Sequence, residues 1–172
     1  QLYPNIRYRV TNCTTNESLS LLKNNDVDIA FVHSPVKNDF FTFHDCLTLE
    51  DFFVCSYDFD CSKIQTLEDL TKYRTLLLEK SSYSRKVLDA NLLKYNIELH
   101  PKFELASLDL LIEFAKKNMG IICVSKQYIK KELENKELKI INLKEKLDLR
   151  AISLAYDKEN ISNAAKRFVE FI

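Results

Sequence analysis

Two short clusters of hydroxyl-bearing residues are where this sequence could do chemistry: Asn12-Cys13-Thr14-Thr15 and Ser81-Ser82-Tyr83-Ser84. Each follows a stretch of strand character and opens a helical one. Free backbone amides, the positive end of a helix and hydroxyl donors then meet in one place, a combination suited to a carboxylate or another small anion. Taken singly, either cluster reads equally well as a helix cap with a polar loop, because most Ser and Thr at helix starts are caps. Two of them in an α/β chain point to a ligand cleft, since open α/β sheets bind at the carboxyl ends of their strands. Lys80 and Arg85 add positive charge around the second cluster, and Glu79 opposes it.

Other chemistries lack their residues. A single glycine, Gly120, cannot build a phosphate-cradling loop or a dinucleotide fingerprint, so no nucleotide cofactor is expected. His33, His44 and His100 lie far apart without zinc-ligand spacing, and no metal is expected. No strand, elbow and helix signature places a serine nucleophile, which argues for binding without catalysis. The five cysteines, Cys13, Cys46, Cys55, Cys61 and Cys123, form an odd set without metal-ligand spacing, and read as reduced thiols that pack as small apolar residues.

The chain has 172 residues, enough for a real core in one or two compact lobes. Its 25 basic and 25 acidic residues cancel, which leaves no overall electrostatic footprint for nucleic acid. Apolar runs such as Ile121 to Val124 fall far short of the ~20 residues a membrane helix requires, and no signal-peptide pattern is present. A cytoplasmic protein without a membrane partner is expected, and a start at Gln1 suits a piece of something longer.

Stepping along the chain, Tyr3 to Val10 alternates apolar and polar residues as a half-buried strand does. Thr14 and Glu17 have capping-box spacing, opening a helix to about Asn24 with Leu19 and Leu22 buried. Val27 to Val32 reads as a buried strand ended by His33, Ser34 and Pro35, with further strands at Phe40 to His44 and Asp51 to Ser56. A short helix at Thr66 to Tyr73 leads into the strand Thr75 to Glu79. The helix opened by Ser81 to Ser84 carries Val87, Leu88, Leu92 and Tyr95 on one stripe that only Asn91 breaks. An edge or bent strand at Ile97 to Leu105 follows. Ser107 caps a helix to Asn118, with Gly120 placed for a left-handed helix end. Ile121 to Ser125 is a buried strand, Lys126 to Asn135 a charged helix, and Leu138 to Leu143 and Ala151 to Tyr156 are strands. A last helix, Ile161 to Ile172, buries Ala165, Phe168, Val169 and Ile172. The alternation predicts largely parallel sheets with helices on both faces.

The order of motifs resembles the effector-binding domain of LysR-type transcriptional regulators over essentially the whole chain. Tyr3-Pro4-Asn5-Ile6 resembles the family's aromatic-Pro entry to a strand. Asn25-Asp26-Val27-Asp28-Ile29-Ala30-Phe31 is similar to its turn and aliphatic-Asp-aliphatic-Ala run. Thr66-Leu67-Glu68-Asp69-Leu70, Ser107 to Leu111 and Asn118-Met119-Gly120-Ile121 follow in the family's order.

The resemblance implies an α/β fold of periplasmic-binding-protein type II: two lobes of mixed, mostly parallel sheets flanked by helices, joined by two crossover strands near Phe53 to Tyr57 and Ala151 to Ala155. The first lobe would comprise residues 1–57 and 151–172, the second 58–150. It implies a small-molecule effector between the lobes, contacted by Thr14, Thr15, His33, Ser81, Ser82, Tyr83 and Ser84. It also implies a homodimer or tetramer in the intact protein, and DNA contact only through a separate N-terminal winged helix-turn-helix domain. The family carries a further strand and helix before its aromatic-Pro motif. Cys13 stands where glycine is common in the family, and Asn118 where the first glycine of a Gly-x-Gly turn is frequent. Tyr83 holds the position of the reactive cysteine of the peroxide-sensing branch. Two other functions suit the same architecture: a transport-type solute-binding protein, and an enzyme acting on small acids. An upstream helix-turn-helix, an upstream signal peptide, or turnover of an acid lost on changing His33 or Tyr83 would tell the three apart.

Overall fold

The computed structural model describes residues 6–34, 36 and 38–171. The chain divides into two compact units, one formed by residues 1–48 and 150–172 and the other by 49–149. The lobes implied by the resemblance divide at 57 and 151 instead. The strand at Asp51–Ser56 is hydrogen-bonded into the second unit's sheet, which carries the first division back to residue 48.

In the first unit, α1 (Thr15–Lys23) is capped by Thr14 in a complete capping box, as the Thr14 to Glu17 spacing predicts. Strands β1 (Ala30–Ser34), β2 (Thr42–Leu49) and β8 (Arg150–Tyr156) form a three-stranded sheet in the order β1-β8-β2. Leu22, Ala30, Val32 and Ala155 make its core, with Leu19, Val27, Phe41 and Phe43 packed around them. Helix α5 (Asn163–Phe171) buries Ala165, half-buries Phe168 and Val169, and sets the Phe168 ring edge-on against Phe31. Ile172 lies outside the described residues.

In the second unit, β3 (Asp51–Ser56), β4 (Thr75–Leu78), β5 (Phe103–Leu105), β6 (Ile121–Ser125) and β7 (Leu138–Ile140) form a five-stranded sheet in the order β5-β4-β6-β3-β7. Alternation along the strands sends side chains to two faces. Phe53, Cys55, Leu77 and Ile121 pack against Leu88 and Leu92 of α2 (Tyr83–Leu93). Val54, Leu76, Ile122 and Val124 pack against Leu111, Ile112 and Ala115 of α3 (Leu108–Lys116). The helices therefore cover opposite faces, as expected of alternating strands and helices.

The second unit's sheet is mixed, and less parallel than alternation alone suggests. Strand β4 runs parallel to β5 and β6, whereas β3 lies antiparallel to both β6 and β7, and β1 antiparallel to β8. The antiparallel pairs involve β3, the first strand of the second unit, and β8, which opens the chain's return to the first unit.

Several elements depart from expectation. Residues 6–10 form no strand, with Tyr8 69% and Val10 89% exposed, and no described strand lies beside them to complete a ladder. Residues 3–5 of that expected strand lie outside the described residues. His33 and Ser34 continue β1 instead of ending it, because both stay in register with Ile152 and Ala151 of β8; Pro35 is outside the described residues. The charged stretch after β6 breaks into a 3₁₀ turn (Lys126–Tyr128) and α4 (Lys130–Glu134), around a fully buried Ile129.

Gly120 does not take the left-handed conformation; Asn118 does, at φ 58°. Met119 N donates to Phe114 O and Asn118 N to Ala115 O, the paired bonds that close a helix in a Schellman motif. The same pair closes α1 through Asn25, α2 through Asn96 and α4 through Lys136, all at positive φ. A chain with one glycine ends its helices mostly on asparagine, the side chain that tolerates this region best after glycine. Lys136 has no such tolerance. Lys136→Gly is expected to stabilise the protein by about 1 kcal/mol, as relief of left-handed strain outweighs the added chain entropy, read as an increased denaturation midpoint at unchanged slope.

Candidate functional site

Thr14, Thr15 and His33 come together in the first unit. The Thr14 hydroxyl caps α1 by accepting from Glu17 N at 3.4 Å, and the Glu17 carboxylate accepts from the Thr14 amide and hydroxyl, each at 2.8 Å. These bonds, the backbone one foremost, hold the Glu17 carboxyl below the usual glutamate range. An external anion at this helix start competes with a carboxylate already there. The Thr15 hydroxyl instead accepts from His33 N at 3.3 Å, fastening α1 to β1.

A second neighbour of His33 has no signature in the sequence. Arg150, 6% exposed, places Nη1 3.4 Å from His33 Nδ1. A guanidinium only donates, so His33 Nδ1 accepts in this contact. No periodicity connects positions 117 residues apart; only the β1–β8 register, His33 opposite Ile152, brings them near.

Ser81, Ser82, Tyr83 and Ser84 form the turn from β4 into α2 in the second unit. Ser82 is the N-cap, its hydroxyl accepting from Arg85 N at 3.1 Å, while its own amide donates to Glu79 O at 3.0 Å. The Ser81 hydroxyl donates to Glu79 Oε1 at 2.8 Å. Tyr83 and Ser84 start the helix, half-buried. Arg85 turns away from this loop. Its buried guanidinium donates to Asp89 Oδ1 at 2.8 Å, and to Leu78 O and Glu104 Oε1 at 2.9 Å. Burial works against its charge, yet the bonds to Asp89 and Glu104 hold it more firmly protonated than usual. It is a structural cation, not a positive lining for the Ser81 to Ser84 loop.

Strands β4, β5 and β6 are parallel, so their carboxyl ends share one edge of the second unit's sheet. That edge gathers the Ser82 cap of α2, the Ser107 cap of α3 and Ser125 at the end of β6. Ser125, 1% exposed, donates to Asp51 Oδ1 at 2.5 Å, its opposite residue on β3. The chain leaves β4 for β5 on one side and returns to β6 on the other, which makes β4 the strand at which the order reverses. Such a switch point is where open α/β sheets take ligands. Ser107 and Ser125 read in sequence only as a cap and a strand end; the parallel register brings them to the edge shared with Ser82.

Among the described residues no three His, Cys, Asp or Glu side chains lie close enough to hold a metal ion. No described helix is long and apolar enough to cross a membrane.

Solved structures share this fold. The regulatory domain of CcmR from Synechocystis PCC6803, in complex with 2-PG, superposes with a TM-score of 0.85 at 18% identity, covering 99% of this chain and 83% of that one. The effector-binding domain of QuiR in complex with shikimate gives 0.75 at 23% identity, with 92% and 76% covered. The regulatory domain of HypT from Salmonella typhimurium gives 0.80 at 17% identity, with 97% and 81% covered. Among curated proteins nothing matches. The family model for the LysR substrate binding domain, however, matches residues 1–172, and the chain belongs to that family of effector-binding domains of LysR-type regulators.

Proposed function

We propose that this chain senses a small anionic effector and, within an oligomeric regulator, controls DNA binding by a separate winged helix-turn-helix domain, without catalysing a reaction. The observation that carries the ligand assignment is the shared edge of β4, β5 and β6, where two helix starts and the Ser81 to Ser84 loop present amides and hydroxyls together. Ser81, Ser82, Tyr83 and Ser84 are the proposed contacts of the second unit, and Thr14, Thr15 and His33 those of the first. The ligands of similar domains support an anion: shikimate is a carboxylate, and a HypT regulatory domain holds bromide. A regulator needs only differential affinity of the effector for two arrangements of the protein, not chemistry on it. We place the intact protein in the cytoplasm.

Thermal-shift titration with small carboxylates, phosphate and bromide tests this reading, because a ligand that binds only the folded state raises the melting temperature with its concentration. Ser82→Ala is expected to cost about 1 kcal/mol of stability through the lost cap. The decisive quantity is the ligand-induced increment, which should fall sharply in Ser82→Ala and Ser84→Ala. An increment unchanged in both variants and in Thr14→Ala would remove these residues from the site. Turnover of a titrated acid would make the protein an enzyme.

A further inference from the structure

Three restraints converge on His33. Its backbone amide donates to the Thr15 hydroxyl at 3.3 Å, β1 holds it in register opposite Ile152, and its Nδ1 lies 3.4 Å from Nη1 of Arg150, the first residue of β8. Thr15 and the register fix the backbone; the third bond fixes the ring. Arg150 is buried, and a guanidinium in a protein keeps its proton, so the contact has one polarity: Arg150 donates and Nδ1 accepts. A half-turn of the imidazole about its bond to Cβ would put Cδ2–H in front of the guanidinium and forfeit the bond. A proton on Nδ1 would set two donors against each other.

We propose that Arg150 is a positioning residue that holds His33 as the Nε2–H tautomer, so that His33 meets the effector only as a hydrogen-bond donor. Which ring nitrogen keeps the proton is set by the bond that the other one makes. With Nδ1 accepting, the ring carries its single proton on Nε2 and has no second lone pair to offer. The group of the effector that reaches His33 must then be an acceptor, of which carboxylate, phosphate and halide are the simplest; an ammonium group finds no partner there. Thr14 and Thr15 do not discriminate in this way, because a hydroxyl can give or take a hydrogen bond. The tautomer follows from the Arg150 contact alone, while its bearing on the effector rests on the function proposed above.

Long-range ¹H–¹⁵N correlation spectra of the full chain labelled with ¹⁵N-histidine, recorded about two pH units above the ordinary histidine value, test the tautomer. The His33 signals are those missing from His33→Gln. Nδ1 should show the shift of a bare ring nitrogen and Nε2 that of a protonated one. Arg150→Met keeps the buried stem and removes the donor, and should bring Nδ1–H into the mixture; Arg150→Lys, which still donates, should restore the single tautomer at least in part. Circular dichroism checks that each variant folds. A ring protonated on Nδ1 in the unaltered protein, or a tautomer unchanged in a folded Arg150→Met, would overturn the role of Arg150. Binding is read separately, by thermal shift with phosphate and bromide. His33→Gln carries an amide N–H near the place of Nε2, and should keep a larger share of the increment than His33→Asn, whose amide reaches only the place of Nδ1. The opposite order would rule out donation from Nε2. No increment with either anion in the unaltered protein would end the effector role of His33, while the spectra still decide the tautomer.

Discussion

Gly120→Ala is expected to destabilise the protein by roughly 1–3 kcal/mol, the range for forcing atoms into a filled core, although alanine suits the backbone conformation there. Gly120 is not at positive φ. What matters is where its Cα sits: a Cβ would stand 2.7 Å from the carbonyl oxygen of Arg74 and 3.1 Å from Leu76 Cγ. The oxygen is backbone and cannot swing aside. It also accepts from Ile121 N at 2.9 Å, the bond beside which the Thr75 to Ile121 pairing of β4 and β6 begins. Relief must come from separating the two strands at the centre of the five-stranded sheet, next to the fully buried Leu76 and Ile122. Chemical denaturation of Gly120→Ala and Asn118→Ala separates this account from the sequence-based one. Were Gly120 the left-handed helix end, its replacement would cost about 1 kcal/mol and Asn118→Ala would be nearly neutral. The left-handed penalty, about 1 kcal/mol, belongs to Asn118→Ala.

Much of the fold was legible because its signals are local. The apolar runs of β3 and β6 lie within the bounds their composition suggests. The hydroxyl caps that the spacing announces at Thr14, Ser82 and Ser107 each satisfy an amide three residues on. Asn91, which breaks the stripe of α2, is buried and bonded through both ends of its amide: its Nδ2 donates to Val87 O and its Oδ1 accepts from Asp148 N, each within 3 Å. No local pattern announces a partner 57 residues away. The helix ends were misread for a related reason. Glycine is the expected residue at a left-handed cap, so a lone glycine draws that assignment, whereas asparagines at 25, 96 and 118 occupy the left-handed positions.

The candidate site divides along the same line. Hydroxyls at helix starts announce themselves, and the structure finds Ser82 and Thr14 capping as their spacing requires. How occupied those helix starts already are does not show in sequence. Glu17 sits over α1 by a three-residue contact that the capping box itself predicts, yet its consequence for an external anion follows only from the hydrogen bonds. Arg150 beside His33, and Asp51 beside Ser125, depend on strand register. Register is a global property, and a cation such as Arg150 in front of an ordinary strand carries no mark of it.

Arg85→Ala should cost about 2 kcal/mol of stability while leaving the ligand-induced thermal shift intact, the reverse of what its position after Ser81 to Ser84 suggests. Breaking a fully buried ion pair costs about 3–5 kcal/mol, because the surviving charge is left without a partner. Here the guanidinium is 3% exposed, but Asp89 and Glu104 are 46% and 39% exposed, so water takes up much of what the carboxylates lose and the cost falls below that range. The Leu78 carbonyl also loses its guanidinium donor at the very end of β4. Arg85→Met keeps the apolar stem packed and tests charge apart from volume; it should recover part of the loss. Because Asp89 and Glu104 already balance the guanidinium, its removal takes little positive potential from the edge where β4, β5 and β6 end. Denaturation midpoints paired with the anion titrations decide between the two roles. A stable Arg85→Met that no longer responds to any anion would return Arg85 to the binding site, and would mean that the ligand, once bound, draws the guanidinium away from its carboxylates.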